Sequence, residues 1–170
     1  MTNFISPLIG FADRFFIGSI LTMSAVAYYS TPYDVVARLF VIPSGILVVV
    51  FPAFSAYYVN DASNFMKLYQ STVKYILLAM APIVVVIIAF AQPLLQVWLG
   101  HEFARNSSLV VQILASGVLF SSAARVPLNT TQAIGRPDIA AKFYMIELPI
   151  VVLALYFLTG PLGIVGVAVV

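Results

Sequence analysis

The 170-residue chain contains no cysteine, which excludes disulfides and thiolate metal sites and leaves the redox compartment open. Its single histidine, His101, cannot build a metal-ligand cluster or a Ser/His/Asp nucleophilic set. No Walker sequence and no glycine-rich dinucleotide loop occurs, so no nucleotide chemistry is indicated. Charge is scarce: 8% of residues are Asp, Glu, Lys or Arg, against about 25% in a soluble domain. A net charge of +2, without a basic run or an aromatic-basic ladder, offers nucleic acid no binding surface. The first residues do not read as a secretory leader, because no basic region precedes the apolar stretch and Asp13-Arg14 interrupt it. These gaps point away from an enzyme, a metal site and any cofactor.

What the chain has is apolar length. Apolar residues make up 62% of it and the mean hydropathy is +1.07, a composition that lipid must solvate. Each spanning helix needs about 20 residues. The pattern predicts an all-α, polytopic transmembrane helix bundle of five spans plus the start of a sixth. The spans are placed at residues 4–22, 35–58, 73–91, 109–128 and 143–159, with an incomplete one at 162–170. Residues 25–32 read as an aqueous-end connection or as an extension of the second helix. Asn60 to Asn64 form a polar turn with Ser63 as the next N-cap, and Gln92-Pro93 end the third span. Residues 94–108 read as an interfacial loop carrying Trp98 and His101. Residues 133–137 form a tight polar turn, and Gly160-Pro161 break the fifth span. A helix over residues 162–170 rises only about 13.5 Å, roughly half of a hydrocarbon core near 30 Å. Ending there would leave its last carbonyls unsatisfied, so residues 1–170 are expected to be one transmembrane domain within a longer protein.

Lys and Arg counts in alternate connections set the expected topology. Lys67, Lys74, Arg136 and Lys142 lie on one side and Arg105 on the other. The richer side is assigned to the cytoplasm, which makes the N-terminus cytoplasmic and turns the Trp98/His101 segment outward.

Charges inside apolar spans are functional-site candidates, since lipid does not tolerate them unless a bundle interior or a wet cavity receives them. In the first span Asn3, Ser6, Gly10, Asp13 and Arg14 share one face. Asp13 and Arg14, adjacent on a helix, cannot face each other; each either pairs with another span or lines a cavity. The second span carries an i,i+4 pair, Asp34 and Arg38, then Pro43, Gly45 and Pro52, which predict a kinked helix. In the fourth span Ser121, Arg125, Asn129, Gln132 and Arg136 recur at intervals of three and four, one helix face. Arg125 either snorkels to headgroups or lines an aqueous path, where a permanently charged, planar guanidinium suits phosphate. Pro127 frees the carbonyl of Ala123 and allows a bend. Glu147 is expected to pair with Arg14 or Arg125, the alternative being a coupling proton.

Several ordered motifs then carry a family resemblance: Ser6-Pro7-Leu8, Asp13-Arg14-Phe15-Phe16-Ile17-Gly18, Val26 to Tyr29, Thr31-Pro32-Tyr33 and Pro43-Ser44-Gly45. They are followed by Leu47 through Phe54, Val97-Trp98-Leu99-Gly100 with Phe103, Gln132, Gly135 to Asp138, Lys142 and Glu147-Leu148-Pro149. Over its whole length the chain resembles the Wzx-type oligosaccharide flippases, polysaccharide transporters of the multidrug/oligosaccharidyl-lipid/polysaccharide superfamily. The resemblance implies the second of two six-helix lobes around a central cavity. It implies alternating access in the bacterial inner membrane, and transfer of an undecaprenyl-pyrophosphate-linked oligosaccharide for O-antigen or exopolysaccharide synthesis. Implied partners are the lipid-linked oligosaccharide, the bilayer, the first lobe and a polysaccharide polymerase. The cavity-lining candidates are Arg14, Arg38, Arg125, Asn129, Asp13 and Glu147. A multidrug exporter or lipid II-type flippase of the same superfamily is the competing reading, although in-membrane arginines favour an anionic cargo. A membrane-embedded glycosyltransferase would want an acidic or histidine-bearing interfacial loop, and a purely structural scaffold would not need Asp13, Arg14, Arg125 and Glu147 in its spans.

Overall fold

A computed structural model of the chain describes residue 14, residues 17–19 and residues 21–170. Most of the first expected span, with Asp13 and most of its polar face, lies outside the described residues. Among the described residues the protein is all helix. The helices are α1 (Met23–Ala37), α2 (Val41–Asn60), α3 (Ala62–Leu99), α4 (His101–Ala133) and α5 (Pro137–Val169), with a 3-10 turn at Arg38–Phe40. Four stretches are long and apolar enough to cross a membrane: Met23–Asn60, Ala62–Leu99, His101–Ala133 and Pro137–Val169. The expected polytopic bundle is therefore present, as four spans among the described residues rather than five and part of a sixth.

The boundaries moved for identifiable reasons. Residues 25–32, read as a connection or an extension of the second helix, are helical within α1, whose start Thr22 caps by accepting from the Ala25 N–H at 3.2 Å. Pro32 sits inside this helix and cannot donate to the Tyr28 carbonyl; the buried Ser107 hydroxyl of α4 donates to it instead, at 2.8 Å. Pro43 likewise cannot donate to the Leu39 carbonyl, and the chain tightens into the 3-10 turn that joins α1 to α2. Asp61, not Ser63, caps α3, its carboxylate accepting from the Asn64 backbone N–H at 3.0 Å and side-chain amide at 2.7 Å. Helix α3 passes through Pro82 and Pro93 without stopping, since neighbouring helices can re-satisfy freed groups in a bundle. It ends at Gly100, whose φ of 90° permits a one-residue reversal, and α4 begins at His101. The expected interfacial loop at 94–108 is thus two helix ends around one glycine. The polar turn at 134–136 is present as expected: Arg136 N–H donates to the Thr131 carbonyl at 2.8 Å and Gly135 N–H to that of Gln132 at 3.1 Å, a Schellman closure.

The break expected at Gly160-Pro161 occurs at Gly163, where φ 58° and ψ −139° reverse the chain. A straight helix would hold residues 158 and 166 about 12 Å apart, yet a Cβ on Gly166 would collide with the Leu158 carbonyl. Beyond this reversal, residues 164–168 fold back and join Val151 and Leu155 in one apolar cluster.

Helix α4 is the centre of the bundle and packs against α1, α2, α3 and α5. Its buried stripe, Ala104, Ser107, Val111, Ala115, Val118, Ser122, Val126 and Thr130, follows helical spacing and meets Ile76, Met80, Val84, Ala91 and Leu95 of α3. Small residues suit this seam, because association within lipid relies on close backbone approach rather than on apolar burial. The buried hydroxyls of Ser122 and Thr130 donate to the carbonyls four residues back, at 2.6 and 2.8 Å. Outward-facing positions such as Val48, Val49, Val97 and Phe120 are about three-quarters exposed or more, a surface only lipid or further protein can cover.

Candidate functional site

Helix α4 carries two stripes side by side. The buried one holds the bundle together; the neighbouring one contains Ser121 and Arg125, and it opens into a cavity of about 450 Å³ between α1, α4 and α5. Tyr29 and Tyr33 of α1 and Phe40 of the 3-10 turn form one wall. Tyr144, Glu147 and Val151 of α5, spaced three and four apart, form another, and the folded-back residues 167–170 complete it. Tyr29 and Tyr33 stack with centroids 5.9 Å apart. The guanidinium carbon of Arg125 lies 4.0 Å from the centroid of the Phe40 ring, within cation–π range.

Of the six candidates from the sequence, the structure brings two to this cavity, Arg125 and Glu147. They face the same space without an ion pair: the ion pairs among the described residues are Arg14–Asp34 and Arg136–Asp138. Glu147 therefore pairs with neither Arg14 nor Arg125. Arg14 binds Asp34 on α1, so Asp34 is not held by Arg38, its i,i+4 neighbour. The Arg14 Nε is buried and has no partner. Arg38 is exposed on the 3-10 turn and does not line the cavity. Asn129 sits half-buried one turn beyond Arg125, its Oδ1 buried and unpartnered, and it too lies off the cavity wall. Further along the stripe, Arg136 is drawn to Asp138 at 3.8 Å. Asp13 lies outside the described residues.

The aromatic side chains Tyr29, Tyr33, Phe40 and Tyr144 were not among the cavity candidates from the sequence. The i,i+4 spacing of Tyr29 and Tyr33 was a usable signal for one shared face. Phe40 gave none, because its position depends on the proline-induced 3-10 turn. A second depression of about 560 Å³ is lined by Tyr69, Gln70, Val73, Lys74, Leu77 and Leu78. All six come from α3, which makes it a groove on the outer face of one helix rather than an enclosed site.

Chemically, the cavity joins one permanent cation to one carboxylate within aromatic walls. His101, at the opposite end of α4 from the polar turn, contacts Gln96 at 2.7 Å and takes no part in it. Among the described residues no group of three His, Cys, Asp or Glu could hold a metal ion.

Residues 1–108 match the sequence model of a family described as polysaccharide biosynthesis protein. A curated protein of Shigella flexneri, whose name provisionally assigns it as an O-antigen transporter, is 29% identical over 169 residues, 99% of this chain and 40% of its own length. The chain therefore spans about two fifths of that relative. No solved structure matches it.

Proposed function

Because this chain belongs to the polysaccharide biosynthesis protein family, we propose that it is one lobe of a multi-pass transporter that moves a lipid-linked oligosaccharide across the bacterial inner membrane. The cargo would be an undecaprenyl-pyrophosphate-linked repeat unit destined for O-antigen or exopolysaccharide. The observation that carries this reading is Arg125, a cation within an apolar span that faces a cavity and has no carboxylate bound to it. A guanidinium in that setting suits a diphosphate, with which it can form paired charge-assisted hydrogen bonds. The O-antigen transporter named among its relatives supports the same cargo class. Alternating access would come from this lobe rocking against the other, with bending at the 3-10 turn and at Gly163. The turns at Asp61 and 134–136 would face the cytoplasm with Lys67, Lys74, Arg136 and Lys142, and Gly100 would face outward with Arg105. Arg14, Arg38, Asn129 and Asp13 would serve in other states of the cycle or at the contact with the other lobe, beside a polysaccharide polymerase.

Glu147 and the aromatic walls favour a second reading, a multidrug exporter of the same superfamily, since a carboxylate and ring faces attract organic cations. Complementation separates the two. Deleting the gene should accumulate lipid-linked repeat units in the cytoplasmic leaflet and deplete surface polysaccharide; the wild-type gene should reverse both and Arg125→Gln should not. Surface polysaccharide unaffected by deletion would move the exporter to the front.

A further inference from the structure

Phe40 presents the face of its ring to the Arg125 guanidinium at 4.0 Å, and both line the cavity. A carboxylate in that place would fix the arginine and cancel its charge. An aromatic ring fixes it and leaves the charge in place, because the attraction comes from the ring quadrupole and adds no formal negative charge. The carboxylate that shares the cavity, Glu147, forms no ion pair with Arg125. Phe40 in turn is held from behind: it packs against the main core and sits on the last residue of the 3-10 turn that Pro43 imposes.

The geometry points to Phe40 as the positioning residue that holds the Arg125 guanidinium ready for a diphosphate. This rests on the reading of the cavity as the site of a lipid-linked diphosphate. An arginine has many rotamers, and immobilising such a side chain costs about 0.5–1.5 kcal/mol when a ligand must do it. Phe40 meets that cost before the ligand arrives. By the usual conversion this is roughly a 2- to 12-fold difference in affinity. Phe40 also ties the cation to the hinge between α1 and α2, so a change in the 3-10 turn would withdraw the guanidinium.

The test is farnesyl diphosphate binding to the intact protein in nanodiscs. Phe40→Leu should weaken binding about 2- to 12-fold, and Phe40→Trp, with the stronger ring face, should restore it. Incorporating pentafluorophenylalanine at position 40 keeps the packing, reverses the ring's electrostatic face, and should weaken binding as leucine does. This variant still decides the matter if the leucine protein fails to fold. Binding unchanged by both Phe40→Leu and the fluorinated ring overturns the role of Phe40. Binding unchanged by Arg125→Gln overturns the diphosphate reading itself, while loss with Arg125→Gln and none with the Phe40 variants leaves that reading standing and removes Phe40 alone.

Discussion

At the scale of single residues, polar groups in this bundle other than Arg14 Nε and Asn129 Oδ1 draw on local partners or on one specific neighbour. Pro32 leaves the Tyr28 carbonyl without its helical donor, and Ser107, fully buried on α4, supplies the replacement at 2.8 Å. An unmet buried acceptor costs about 1–3 kcal/mol, although membrane hydrogen bonds fall toward the low end of that range. Ser107→Ala should therefore destabilise the protein by about 1 kcal/mol in thermal or detergent unfolding. In a Pro32→Ala background the restored backbone N–H reaches Tyr28, and Ser107→Ala should then cost close to nothing. An equal cost in both backgrounds would mean that the hydroxyl matters for packing alone. Arg14 and Asp34 follow the same logic with charge. Each side chain is only partly exposed, 33% and 57%, and removing one partner would strand the other in an apolar span.

At the scale of elements, several prolines and glycines did not act where local rules put them. Helix α3 runs through Pro82 and Pro93, and α5 runs through Pro149 and Pro161, since a lost hydrogen bond inside a bundle can be recovered from a neighbour. Reversals occur where φ turns positive, at Gly100, Gly135 and Gly163. Gly160 and Gly163 both have open space where an added methyl group would sit, so substituting them isolates the backbone effect. Gly160→Ala should stabilise α5 by about 0.5–1 kcal/mol. Gly163→Ala should destabilise the fold-back by about 1–3 kcal/mol. Thermal unfolding of the two variants decides between a break at Gly160-Pro161 and one at Gly163; the opposite signs would restore the former.

At the scale of the whole molecule, the absence of cysteine from these 170 residues lets a single introduced cysteine report accessibility within them. Ser121 lines the cavity and Ser122 is fully buried beside it. A cysteine at 121 should react with a small charged thiol reagent at least tenfold faster than one at 122. Comparable rates would argue that the α4 stripe is packed dry. Farnesyl diphosphate should protect the cysteine at 121 if the proposed cargo site is correct. Helix α3, at 38 residues, is about 57 Å long and exceeds a hydrocarbon core of about 30 Å. Reporters fused after Ser63 and after Arg105 should therefore report opposite sides of the membrane, the first cytoplasmic. Both on one side would remove α3 as a span.

The sequence by itself determined the class of the molecule. Its scarcity of charge, its long apolar runs, the polar turn at 133–137 and the stripe on α4 are one-dimensional signals, because helix periodicity converts spacing directly into a shared face. Through them Arg125 and Glu147 were legible as candidates. The tertiary structure alone decided which charges meet. Asp34 chose Arg14 over Arg38, four residues away, and Glu147 stayed apart from every arginine, because partners across helices depend on how the bundle packs and not on spacing along one helix. It also decided that Phe40 faces Arg125 and that the chain turns at Gly163. Both depend on backbone departures from the regular helix, a 3-10 turn and a left-handed glycine, whose positions are set where neighbouring helices meet.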